Sequence, residues 1–157
     1  MPELKQRGKT VVLGAGNELM QDEGIGVHVI RALQRQQQDG WEAIEAGTSP
    51  DILCLLGKID KLVIVDAVKG GGPPGAIYRF GCDQLSQGNM PISSIHQWGL
   101  AEELNMMELL GISPRETVII GVEPEQVDWG LEPSPTLKKR IPDIAALVLR
   151  ELAPEKL

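Results

Sequence analysis

Apolar residues are concentrated in three continuous runs, and polar or glycine-rich turns separate them. Thr10-Val11-Val12-Leu13, ended by Gly14, is short and β-branched, the pattern of a buried strand. Residues 61–68 are apolar on both faces, as a central parallel strand should be. Residues 116–122 repeat the pattern and stop before Pro124. Weaker strand signals cover residues 41–45 and 76–81. Between the strands the spacing becomes helical. Ile25, Val29, Ala32 and Leu33 share one face of a helix predicted over 23–36, with Asp22 as its N-cap. Thr48 or Ser49 is placed to cap a second helix, with Pro50 in its first turn and Ile52, Leu53, Leu55 and Leu56 following. Ser93 or Ser94 caps a third, running from about His96 to Leu110 and closed by Gly111. The last spans 135–152, with Pro142 expected to kink or restart it.

This order, β-α-β-α-β-β-α-β-α, predicts an α/β fold: a three-layer sandwich with a mostly parallel five-stranded sheet flanked by helices. One domain over residues 1–157 is expected. Gly70-Gly71-Gly72-Pro73-Pro74-Gly75 reads as a flexible exposed loop, either a plain connection or a lid near the site.

Composition narrows the function classes. A formal charge of -7 argues against a nucleic-acid partner, whose phosphates need Lys and Arg. No apolar run approaches the ~20 residues of a membrane span, and the first residues lack a hydrophobic signal region, so a cytoplasmic location is expected. Cys54 sits in an apolar helix pattern and reads as a small core residue, whereas Cys82 follows a strand and is expected to be partly exposed. Two cysteines exclude a four-thiolate zinc site within one chain.

The candidate chemistry begins in the turn after the first strand, Gly14-Ala15-Gly16-Asn17-Glu18-Leu19-Met20-Gln21-Asp22-Glu23-Gly24-Ile25-Gly26. Such a glycine turn usually offers backbone N–H groups to phosphate, but the acidic pair Asp22-Glu23 would repel one. The third glycine of a dinucleotide fingerprint would fall at Leu19 and is missing. Carboxylates there suit a cation. In an open parallel sheet, ligands sit beyond the carboxyl ends of the strands, and right-handed crossovers bring Glu23, Asp66 and His96 to that edge. Two carboxylates and an imidazole suit nickel, zinc, manganese or iron, with positions left open for water or substrate. Each residue also has a plainer reading. Glu23 can complement a helix dipole, Asp66 can cap the turn at Ala67-Val68, and His96 can cap its helix. His28 falls off the apolar face of its helix and reads as a surface residue.

Four separated motifs extend the pattern: Leu13-Gly14-Ala15-Gly16-Asn17 with Asp22-Glu23-Gly24-Ile25-Gly26, then Val65-Asp66-Ala67, then His96-Gln97-x-Gly99-Leu100, and Val118-Ile119-Ile120-Gly121-Val122-x-Pro124 with Gly130-Leu131-x-Pro133. Together they resemble the nickel–iron hydrogenase maturation endopeptidases over nearly the whole chain. The resemblance implies an endopeptidase that removes a C-terminal extension from a hydrogenase large-subunit precursor after nickel insertion. It maps the family's metal-contacting residues onto Glu23, Asp66 and His96. The nickel would be carried by the substrate, and no organic cofactor is implied. Glu45-Ala46-Gly47-Thr48 stands where many relatives have an Asp-Gly-Gly-Thr-like run, which makes Glu45 and Thr48 candidate substrate contacts. Trp98 is bulkier than expected before Gly99 and could help wall the site. The alternative is a non-enzymatic nickel chaperone or sensor using the same three residues.

Overall fold

The computed structural model describes residues 9–36, 40–49, 51–81 and 95–153, with the backbone alone for 95–98 and 101. Strand β1 (Lys9–Ala15) lies between β2 (Glu42–Gly47) and β3 (Ile59–Ala67). Beyond β3 come β5 (Glu116–Val122) and, at the far edge, β4 (Ile77–Gly81). β2, β1, β3 and β5 are mutually parallel, and β4 runs antiparallel to β5. The short link from Ala67 to Ile77 explains that reversal, since a parallel crossover needs a dozen or more residues. The predicted five-stranded, mostly parallel sheet is therefore present.

Strand alternation divides the core into two layers. Val12, Val63, Val65, Val118 and Ile120 point to one face and meet Ile25, Val29, Ile30, Leu137, Ile144 and Val148. Those partners come from α1 (Ile25–Gln34) and the C-terminal α4 (Pro135–Leu152). Val11, Leu13, Leu62, Ile64 and Ile119 point to the other face, where they meet Leu53, Leu100 and Met107. Leu53 belongs to α2 (Ile52–Leu55), and Leu100 and Met107 to α3 (Ile95–Leu109).

The chain passes from β1 outward to β2, then back across β1 to β3 on its other side. The connections leaving β1 and β3 therefore diverge, and a crevice opens between their carboxyl ends. Two glycines let α1 settle against this point. A Cβ on Gly26 would overlap the carbonyl oxygens of Val65 and Ala15, and one on Gly14 would overlap Gly26 and the side chain of Ile30.

Several expectations shift. Residues 21–24 wind as one turn of 3-10 helix, so α1 starts at Ile25 with Gly24 at its cap. α2 is a single turn, and Pro50, Cys82, Ser93 and Ser94 lie outside the described residues. α4 continues through Pro142 without restarting. Its first turn is secured by Ser134, whose hydroxyl accepts the Leu137 N–H, and its buried face of Leu137, Ile144, Val148 and Leu152 holds the rest against the sheet. The 70–75 loop is fastened rather than free. Gly70 N–H donates to the Glu123 carboxylate at 2.7 Å, Gly72 N–H to the Tyr78 hydroxyl at 3.0 Å, and Arg140 Nε to the Gly75 carbonyl at 3.1 Å. Those ties favour a plain connection over a lid.

Candidate active site

The glycine turn after β1 lets backbone approach carboxylate. Gly16 has φ +117°, a conformation that costs glycine little and other residues much. A Cβ there would overlap the Glu23 carbonyl oxygen and lie 3.3 Å from Asp66 Oδ1. The turn after β1 and the end of β3 are thus packed together, and Glu23 and Asp66 meet as expected.

Asp66 is 4% exposed, and its Oδ1 accepts the Ala67 N–H at 2.8 Å. Burial pushes its carboxyl up to about 8, the Ala67 N–H opposes this, and the nearby Glu23 charge adds to the rise. Burial thus favours the protonated form of Asp66 in the folded protein.

His96 lies in the first turn of α3. Because α3 must run back toward the start of β5, this turn comes to the same edge as the carboxyl ends of β3 and β5. Its side chain lies outside the described residues. Among the described residues no group of three His, Cys, Asp or Glu side chains forms a metal cluster. Trp98, whose side chain is also outside the description, gains no position here.

Glu45 and Thr48 line a cleft of about 410 Å³ together with Gly16, Asn17, Glu18 and Leu19. The cleft borders the turn that carries Glu23. Arg31 of α1 spans its rim, donating from Nε to Glu45 at 2.6 Å and from Nη2 to Glu18 at 2.7 Å. Glu45 therefore holds the end of β2 to α1, a role the strand pattern does not reveal.

Asp22 departs furthest from expectation. It makes no cap to α1; instead it is fully buried and faces the segment after β5. Its Oδ2 accepts the N–H groups of Glu125 (2.9 Å) and Gln126 (2.8 Å) and the Ser134 hydroxyl (2.8 Å), while Oδ1 accepts the Ser134 N–H (2.6 Å). His28 is likewise no surface residue. It is half-buried, its Nε2 is enclosed without a hydrogen-bond partner, and burial with the adjacent Arg31 lowers its pKa. The covering segment around Leu131 and Glu132 comes from the far end of the sequence, so the helical wheel could not anticipate it. Cys54 is partly buried and packs against the core layer around Leu53, and contact with the Glu103 carboxylate, helped by burial, pushes its thiol up to about 11. A thiol so neutral is a poor nucleophile.

An α/β sandwich with paired acids at its strand-order switch narrows the class, and comparison with known proteins specifies it. The family model described as hydrogenase maturation protease matches residues 27–151. The hydrogenase expression/formation protein HupD of Thiocapsa roseopersicina is 36% identical over 148 residues, covering 91% of this chain and 67% of its own. The solved hydrogenase maturating endopeptidase HybD from E. coli superposes with a TM-score of 0.82 at 30% identity, covering 92% of this chain and 91% of its own. HybD from Thermococcus kodakarensis superposes at 0.78 with 25% identity over 92% of this chain and 99% of its own. The chain belongs to the hydrogenase maturation protease family and is an endopeptidase of that family.

Proposed function

We propose that this endopeptidase removes the C-terminal extension of a nickel-loaded hydrogenase large-subunit precursor, with Glu23, Asp66 and His96 completing the coordination of the nickel that the precursor brings. The observation that carries this reading is Asp66. A buried carboxyl raised to about 8 beside a second acid is an arrangement that gains stability from a positive charge. The two oxygens and one imidazole nitrogen suit a divalent transition metal and leave positions open for the ligands the precursor supplies.

Held there, the precursor's metal ion would polarise a carbonyl or activate water. This chain's residues supply the holding. Glu23 and Asp66 fix the ion at the β1/β3 crevice, and His96 approaches from the first turn of α3. The cleft lined by Glu45 and Thr48 receives the peptide beside the scissile bond, with Arg31 keeping its rim closed. Glu23, or Asp66 once it has lost its proton, would act as the base toward water. Recognition and reaction then share one element, so an unloaded precursor is not cut.

The reading places the protein in the cytoplasm with its precursor. Among the described residues no helix is long and apolar enough to cross a membrane.

The test is a gel-shift assay on the precursor, with and without nickel loading, using wild type and His96→Ala. Loss of a short C-terminal piece is expected only with loaded precursor and intact His96. Full activity of His96→Ala removes the site assignment. Cleavage of unloaded precursor removes the recognition step while keeping the protease. Tight stoichiometric nickel binding without any cleavage favours the chaperone.

A further inference from the structure

Three large apolar side chains crowd one small region of the surface beside the turn that carries Glu23. Leu19 is 48% exposed, Trp129 75% and Leu131 68%. They are side by side because Met20 and Gly130 form a parallel bridge, with Gly130 N–H donating to the Leu19 carbonyl at 2.9 Å and Gln21 N–H to the Gly130 carbonyl at 3.0 Å. Gln21, inside this bridge, is the one non-glycine among the described residues with a positive φ, at 50°. A strained conformation persists only where its surroundings enforce it.

The enforcement comes from Asp22. Its carboxylate holds both ends of the segment that carries Trp129 and Leu131, through Glu125 and Gln126 at one end and Ser134 at the other. Asp128 Oδ1 accepts the Trp129 N–H at 2.8 Å and tightens the middle. These apolar groups are therefore held in place while exposed to water. An exposed Trp between two Leu on a braced backbone is the form of a binding hot spot, because little backbone ordering remains to be done on association. The ridge also borders both neighbouring clefts. Leu19 lines the one that contains Glu45 and Thr48, and Leu131 lines a second of about 430 Å³.

Charge selects the occupant. Residues 123–134 contain Glu123, Glu125, Asp128 and Glu132 and no Lys, Arg or His. Glu125, Asp128 and Glu132 are exposed around the ridge, and among the described residues only Glu132 has an ion-pair partner, Lys138 at 3.5 Å. A second copy of this chain would set one acidic rim against another, and an anionic membrane would be repelled. A partner with an apolar patch rimmed by Lys and Arg fits.

We propose that the Leu19–Trp129–Leu131 ridge is the docking surface for the folded body of the large-subunit precursor, met by an apolar patch with a basic rim. This rests on the processing reading above and adds a contact outside the peptide cleft. Docking here holds the precursor beside Glu23 and Asp66, so the ridge contributes to substrate affinity and not to the chemical step.

The experiment compares wild type with Trp129→Ala/Leu131→Ala, and with Leu109→Ala/Leu110→Ala as an exposed apolar control on α3 and the turn after it. Binding of nickel-loaded precursor is measured alongside cleavage kinetics, melting temperature and oligomeric state. The ridge variant is expected to weaken Kd and raise KM by about tenfold or more, with kcat within about twofold, as loss of a docking hot spot should. The control should match wild type, and Glu125→Lys/Asp128→Lys should slow association. An unchanged Kd and KM in the ridge variant overturns the proposal, as does a shift in self-association without any change in precursor binding. If wild type binds precursor through the ridge but does not cleave it, the docking stands and the processing reading falls. If wild type does not bind it, the docking falls as well.

Discussion

Asp22 and Asp66 are buried to almost the same depth, at 0% and 4% exposure, and both flank the turn that presents Glu23. Their surroundings differ in donors. Asp22 receives three backbone N–H groups and a hydroxyl, so its charge is matched within the fold. Asp66 receives the N–H of its neighbour Ala67, among the described residues, and faces another acid. A buried carboxylate with its acceptor sites filled braces the structure. One with sites left over, and a pKa pushed up, is available to a ligand. Burial alone does not separate the two, but the donor inventory does.

Substitutions sharpen this contrast. Asp66→Asn keeps the shape and removes the charge, so processing should fall on the order of 10³-fold or more while the fold survives. Wild-type turnover by that variant breaks the contrast from the functional side. Asp22→Ala leaves four donors unmatched, the two of Ser134 buried, and should cost about 3–5 kcal/mol of stability in denaturant titration. An Asp22→Ala protein as stable as wild type breaks it from the structural side.

A pH series separates the pair more finely. The folded protein keeps the Asp66 proton to about pH 8, whereas the ordinary carboxyl releases it near 3.8. Between those values the native state binds more protons than the unfolded chain, so this group makes stability fall as pH rises from about 4 to about 8, and contributes a level term outside. Asp66→Asn should abolish that slope and melt higher than wild type above pH 8. For the same reason a divalent ion should bind more weakly as pH falls below about 8, with proton release visible in buffers of different ionisation enthalpy. The smallest effect is expected from Arg31→Ala. Its two ion pairs are substantially exposed, so stability should change by only ~1 kcal/mol or less. A larger rise in KM than in kcat would mark its work on the cleft rim.

Legibility in the sequence followed the range of the forces involved. β1, β3 and β5 are dense apolar runs, and the span expected for the last helix, 135–152, matches α4. The meeting of Glu23 with Asp66 followed from strand order, since both leave the strands at the β1/β3 switch. The direction of β4 depended on a link too short to cross over, which composition does not state. Asp22 was misread because the local signal, an acid before a helix, is the same for a cap and for a brace. Its partners lie at residues 125, 126 and 134, and only tertiary structure brings them near. His28 failed for the same reason, its cover being the Leu131 segment.

The brace at Asp22 has a consequence for a protein made from its N-terminus onward. A chain elongated only as far as Val122 already contains Glu23, Asp66 and His96. It lacks the Glu125, Gln126 and Ser134 groups that hold their turn from behind. The geometry of that turn therefore depends on residues 125–134, so a fragment that stops at Val122 should bear Glu23, Asp66 and His96 and yet fail to cut.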